Sequence, residues 1–146
     1  MKIVNDQTVL VPPGKYFLGD PCYAGIPNED WQTMGEETNY FNIPVGHVQG
    51  LPVLGFHTTG GDGACPGSDG NIYGVDSGCL GLVPAALVTK NITSNEGGRF
   101  IEFDDEIVCY VAGADLVFGP VTIDTNYYDE NVNALDFNCP GEYEYG

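Results

Sequence analysis

Short runs of β-branched and aromatic residues, separated by turn residues, recur about every eight to ten positions in the second half of this chain. Residues 99–103, 107–111, 116–118 and 121–123 are four such runs. Short strands at this spacing are typical of antiparallel sandwiches and barrels. The 21 glycines and 10 prolines supply the turns that such a chain needs. We therefore predict an all-β fold with minor α content, a small antiparallel sandwich or barrel.

Further strands are expected in the first half of the chain, at residues 8–11, 15–18, 40–43, 49–57 and 72–76. Pro52 lies inside the fourth of these runs. Because proline donates no backbone hydrogen bond, it favours a sheet edge or a bulge at that position. Residues 58–71 are Gly-rich and lack apolar periodicity, which predicts a loop.

One short helix is predicted near residues 28–39. Asn28 is a suitable cap, and the acidic residues Glu29 and Asp30 suit the positive end of the helix dipole. Trp31 and Met34 stand three residues apart, so a narrow apolar stripe would face the core.

The length of 146 residues and an apolar content of 42% are sufficient for one domain with a real core. We predict a compact β domain over residues 1–125 and an acidic, Tyr-rich segment over 126–146 that docks on the domain or on a partner. Tyrosine is enriched at protein interfaces. The segment's predicted partner-binding residues are Tyr127, Tyr128, Asp129, Glu130, Asp136, Glu142, Tyr143, Glu144 and Tyr145.

The charge balance constrains the partner. Twenty-one acids against four bases give a net charge of −17. Direct binding to nucleic acid or to an anionic membrane is disfavoured, because both need clustered Lys and Arg. A protein partner with a basic surface fits this charge, although solubility alone also accounts for an acidic surface. The chain contains no apolar run of membrane-spanning length and no signal-peptide pattern, which predicts a cytoplasmic protein.

Three aspartate turns are the candidate site: residues 19–23, 60–63 and 74–78. An aspartate beside Gly or Pro usually closes a turn by bonding backbone N–H groups, and that is the favoured interpretation. In the alternative, the turns converge around a pocket and form an enzyme or small-ligand site. The candidate residues would then be Asp20, Cys22, Asp62 and Asp76, with His47 or His57 as a base for the Cys22 thiol.

Metal and cofactor sites have weak sequence support. Residues 69–74 match three positions of an EF-hand loop, but Tyr73 and Leu80 stand where two ligands belong. We expect no cofactor and no metal, with an irregular calcium site as the open alternative. Five cysteines at irregular spacing favour free, mostly buried thiols over a disulfide framework.

Several motifs in order resemble a family of small uncharacterised proteins found in bacteria and tailed phages. The resemblance covers roughly residues 14–125 and departs from the family pattern at Ala64-Cys65 and at Gly119-Pro120. It implies a bacterial or phage context and no catalytic residue. The motifs are Gly19-Asp20-Pro21-Cys22-Tyr23, Trp31, Gly61-Asp62-Gly63, Tyr73-Gly74-Val75-Asp76-Ser77-Gly78, Val83-Pro84 and Phe118-Gly119-Pro120-Val121-Thr122-Ile123-Asp124-Thr125.

Three functional hypotheses follow from these observations. The first is a non-enzymatic phage-related binding protein, an acidic inhibitor of a host or defence protein, with nucleic-acid mimicry as one form. The second is a capsid decoration protein of the virion, which would be oligomeric or capsid-bound. The third is the enzyme or small-ligand binder built on the aspartate turns.

Overall fold

The computed structural model describes residues 1–89 and 97–126. These ranges are mostly β, with antiparallel sheets and one α-helix, which confirms the predicted class. The helix is α1 (Asn28–Thr38), and 3-10 turns span Pro21–Ala24 and Ala85–Leu87. The strands are β1 (Lys2–Asn5), β2 (Thr8–Val11), β3 (Gly14–Gly19), β4 (Val45–Val48), β5 (Leu51–His57), β6 (Gly63–Pro66), β7 (Ile72–Val75), β8 (Cys79–Pro84), β9 (Arg99–Phe103), β10 (Ile107–Ala112), β11 (Asp115–Phe118) and β12 (Val121–Asp124).

Most of the described strands form two five-stranded sheets. The outer sheet has the order β1-β2-β10-β11-β12, and the central sheet has the order β4-β5-β8-β3-β9. Strands β6 and β7 form a separate hairpin. This hairpin lies along β12, where the Ser68 N–H donates to the carbonyl of Thr122 at 2.8 Å and the Thr122 N–H donates to the Ser68 hydroxyl at 2.9 Å. The hairpin therefore covers one edge of the outer sheet.

The central sheet is buried on both faces. Leu54, Phe56 and Leu82 belong to the core shared with the outer sheet. Their neighbours Val53 and Val83 belong to a second core on the opposite face. Since both faces are buried, these strands read as nearly continuous apolar runs instead of alternating ones.

Helix α1 and the turn Pro21–Ala24 cover the second face of the central sheet. Trp31 and Met34 are buried there, as the predicted stripe requires. Gly46 of β4 permits the close approach of the helix, because a Cβ at this position would lie 2.5 Å from Cγ of Met34. The predicted helix is confirmed, although Asn28 is its first residue and not its cap; it ends at Thr38 and is followed by Asn39 in a left-handed conformation.

The predicted strand at residues 40–43 is wrong. Tyr40 and Phe41 continue the left-handed backbone of Asn39, with φ values of 56° and 61°. This turn inserts the Phe41 ring into the second core, where it packs edge-on against Trp31. The apolar content of the segment thus reflects one buried anchor and no sheet pairing.

Two other expectations need correction. β5 lies inside the central sheet, between β4 and β8, and tolerates Pro52 because its pairing with β8 begins only at Leu54. The segment 58–71, predicted to be a loop, contains β6. The high glycine content of this segment predicted a loop, but the segment includes a short strand in which Ala64 pairs with Gly74 of β7.

Candidate functional site

The three aspartate turns meet at one junction, and Asp20 is its centre. Asp20 follows β3 and caps the 3-10 turn, with its Oδ1 accepting from the backbone N–H of Cys22 at 2.9 Å. Its Oδ2 accepts from the backbone N–H groups of Asp76 and Ser77, both at 2.7 Å. The Ser77 hydroxyl donates to Oδ1 at 2.6 Å. One carboxylate therefore closes its own turn and also ties that turn to the one between β7 and β8.

Asp20 is 0% exposed, and each of its oxygens accepts two hydrogen bonds. Burial raises the pKa of this carboxyl to about 6, while the hydrogen bonds from Ser77, Cys22 and Asp76 favour the ionised form and oppose the shift. A carboxylate whose acceptors are filled by its own chain has little capacity left for a substrate. The geometry assigns Asp20 a structural role.

Asp62 brings the third turn to the same junction. Its carboxylate accepts a hydrogen bond from the backbone of Gly78, next to the residues that bond Asp20, and partial burial raises its pKa. Thr58, just before this turn, donates its hydroxyl to the carbonyl of Gly61 at 2.7 Å and its N–H to the carbonyl of Gly78 at 2.9 Å. The turns therefore converge, as the enzyme hypothesis requires. Asp20 and Asp62 nevertheless accept hydrogen bonds from the backbone, as the structural interpretation requires.

The predicted cysteine nucleophile does not fit the structure. Cys22 is buried and disulfide-bonded, so it carries no thiolate. This corrects the expectation of free thiols at that position, while Cys65, Cys79 and Cys109 are free and buried as predicted. His47 lies with Nδ1 2.7 Å from Glu37 of α1, on an exposed surface.

The structure instead brings His57 to Cys79, with Nδ1 3.6 Å from Sγ. Sequence reasoning missed this pair, and only the β5–β8 register, which sets the two residues opposite each other, could have revealed it. Burial raises the pKa of the Cys79 thiol far above its ordinary value, and the charges of Asp20 and Asp62 add to the shift. A thiol held protonated in this way is a poor nucleophile.

Asp69, the first position of the EF-hand-like segment, is committed to a local network. Its Oδ2 accepts from the Tyr73 hydroxyl at 2.6 Å, from Nε of Arg99 at 2.8 Å and from the Asn71 side chain at 3.0 Å. These hydrogen bonds outweigh partial burial and lower the pKa of Asp69 to about 2. In the part of the chain that the structure describes, no group of three or more His, Cys, Asp or Glu is placed to hold a metal ion.

Most of the other acidic side chains of the described ranges lie in three groups. One is on α1, which packs near β4 at one edge of the central sheet. A second is the connection between β9 and β10, which leaves the opposite edge. A third is Asp115 and Asp124, which stand opposite each other on β11 and β12. The predicted partner-binding residues between Tyr127 and Tyr145 lie outside the described residues.

Comparison with models of known protein families, with curated proteins and with solved structures finds no match. Within the described ranges, no helix has the length and apolarity needed to cross a membrane.

Proposed function

We propose that this protein acts by binding a protein partner that presents a basic surface, and not by catalysis. The proposal rests on one observation: the protein has too few cationic side chains of its own to pair with its acidic ones. The chain has 21 acids and only four bases. Of these bases, Arg99 is bonded to Asp69, and Lys15 lies 5.1 Å above the Phe100 ring and opposite Glu102. Exposed carboxylates are therefore available to cations of another molecule.

The junction of the aspartate turns supports this choice over catalysis. The carboxylate of Asp20 at its centre is enclosed and hydrogen-bonded by its own chain, and the nearby Cys79 thiol is buried. A junction closed in this way by its own hydrogen bonds suits a scaffold that presents a surface. The resemblance to bacterial and phage proteins adds the expected setting, an inhibitor of a host or defence protein. The separate acidic groups favour contact through one local surface over mimicry of a long phosphate track.

The test is affinity capture by the full-length protein from host cells, followed by binding measurements with the purified partner. We expect the partner to be basic and its affinity to fall steeply between about 0.05 M and 0.5 M salt, as screening shortens the range of charge interactions. A duplex DNA competitor distinguishes mimicry, since it would displace the protein only from a nucleic-acid site. An affinity indifferent to salt would refute the proposal.

A further inference from the structure

The solvent-facing side of the outer sheet has an apolar centre. On β10, Val108 and Tyr110 point outward and are 45% and 39% exposed, while Cys109 between them is buried. The register places Leu10 beside Val108 and Val117 beside Tyr110, and both of these neighbours are half-buried. We call these four side chains the outer apolar patch. Single exposed apolar residues are ordinary, but this patch is continuous across three adjacent strands.

The size of this face suits the middle of a protein interface. The five strands lie about 4.8 Å apart, and they extend about 20 Å in β10, which has six residues, but only about 14 Å in the other four strands, which have four residues each. The face is therefore roughly 360 Å², a little under half of the roughly 800 Å² that one partner contributes to a standard interface. The ends of the sheet would supply the remainder.

Acidic residues stand at both ends of the outer apolar patch. Asp104, Asp105 and Glu106 immediately precede β10 at one end. Asp115 and Asp124 face each other across β11 and β12 at the other end, on the same side of the sheet as Val117. Like charges directly opposite in a sheet destabilise the pairing. A cation contributed by a partner would relieve this repulsion.

Charge complementarity indicates the occupant. An apolar centre with a charged border is the usual anatomy of an interface, and this border is acidic at both ends of the strands, with one base, Lys2, beside Leu10 on β1. A second copy of the chain would set these five acids mainly against acids, with only Lys2 to offset them. We infer that the outer face of the outer sheet is the docking surface for a protein whose apolar contact patch is bordered by Lys and Arg. The inference rests on the proposed function and names the surface that performs it.

The test maps two defined probes onto the full-length protein by amide chemical shifts in NMR. One probe is a soluble peptide that alternates lysine with valine, and the other is a lysine-only peptide of equal charge. We expect the Lys-Val peptide to bind more tightly and to shift amides of β2, β10 and β11. A Val108→Thr/Tyr110→Thr variant, which places β-branched, strand-favouring residues at both positions, should weaken binding of the Lys-Val peptide about tenfold and binding of the lysine-only peptide little.

Two further variants change the charge equally at different places. Asp115→Asn/Asp124→Asn, at the border of the outer apolar patch, should weaken binding of both peptides. Glu29→Gln/Glu36→Gln on α1 is the matched control and should leave binding of the Lys-Val peptide nearly unaffected. Urea unfolding of each variant establishes that the fold is retained.

Shifts centred on α1, or equal losses in both acid variants, would overturn the docking surface and leave charge-driven binding intact. Failure of both peptides to bind at low salt would count against the proposed function itself. A dimer in sedimentation equilibrium that Tyr110→Thr abolishes would assign the face to a second copy. Nuclear Overhauser contacts from residues 127–146 to the outer apolar patch would assign it to the chain's own C-terminal segment. Either result would overturn the inference.

Discussion

Replacing Asp20 by asparagine tests whether the aspartate junction holds the fold together. The substitution keeps the shape of the side chain but turns one acceptor oxygen into an NH₂ donor. In the native protein each oxygen receives two hydrogen bonds, so at least one of the Cys22, Asp76 and Ser77 backbone donors loses its acceptor. An unsatisfied buried donor costs about 1–3 kcal/mol. At pH 7.5, where the ionised wild type also bears the cost of a buried charge, we expect a loss of that order in unfolding free energy.

The pH dependence gives a sharper test than the loss itself. The pKa of Asp20 is about 6 in the folded protein, against an ordinary value of 3.8 in the unfolded chain. The folded state therefore binds the proton more tightly, and this contribution to stability is lost as the pH rises through 6. Between pH 4.5 and 7.5 these two values give a difference of about 2 kcal/mol. The asparagine variant lacks this proton, so its deficit should be about 2 kcal/mol larger at pH 4.5 than at pH 7.5.

Urea unfolding at several pH values measures both quantities, with comparison of m values to check that the unfolded states match. Asp105→Asn, at an exposed position in the connection between β9 and β10, is the control that makes the same change in charge away from the junction. A deficit that grows with rising pH would refute the reasoning. It would mean that the four hydrogen bonds outweigh burial and that the folded protein prefers the ionised carboxylate.

Three further predictions concern other parts of the described chain. Gly81→Ala should destabilise the fold by more than 3 kcal/mol or so, or prevent folding, because the added Cβ would overlap the carbonyl of Leu54; a urea midpoint near that of the wild type would contradict this. Tyr73→Phe should raise the pKa of Asp69 from about 2 towards its ordinary value, measured by NMR titration of the carboxyl carbon, since a hydrogen bond of 2.6 Å is lost. An unchanged pKa would show that Arg99 and Asn71 suffice. The free buried thiols of Cys65, Cys79 and Cys109 should react with a disulfide reagent only after denaturation, since burial raises their pKa values. Rapid reaction of the native protein would contradict this packing.

The sequence predicted those elements whose local pattern matches their environment. Strand β10 alternates buried and exposed residues, and α1 carries its apolar pair on one face, so both could be predicted from periodicity. Strand β1 escaped prediction because its four residues are all exposed at a sheet edge. The strand predicted at residues 40–43 is wrong because a buried aromatic residue on a left-handed turn gives this segment the apolar composition of a short strand.

The candidate site was predictable in its residues but not in its connections. Gly and Pro neighbours identified Asp20 as a turn residue, and its bond to the Cys22 N–H is local. Its bonds to the turn at Asp76 join positions more than fifty residues apart, and no local pattern encodes them. The pairing of His57 with Cys79 likewise depends on the strand register. Long-range register is set by the whole core, which is why sequence reasoning stopped at the turns.

The outer sheet joins strands from both ends of the described chain, since β2 pairs with β10 about a hundred residues later. This arrangement has a consequence for synthesis on the ribosome. Four strands of the central sheet can assemble once residue 84 has emerged, but their inner face stays only partly covered until β10, β11 and β12 arrive. At about 5–20 residues per second this interval lasts seconds, during which a large apolar surface is open to aggregation. The nascent chain should therefore depend on chaperones most strongly while residues 85–124 are being translated.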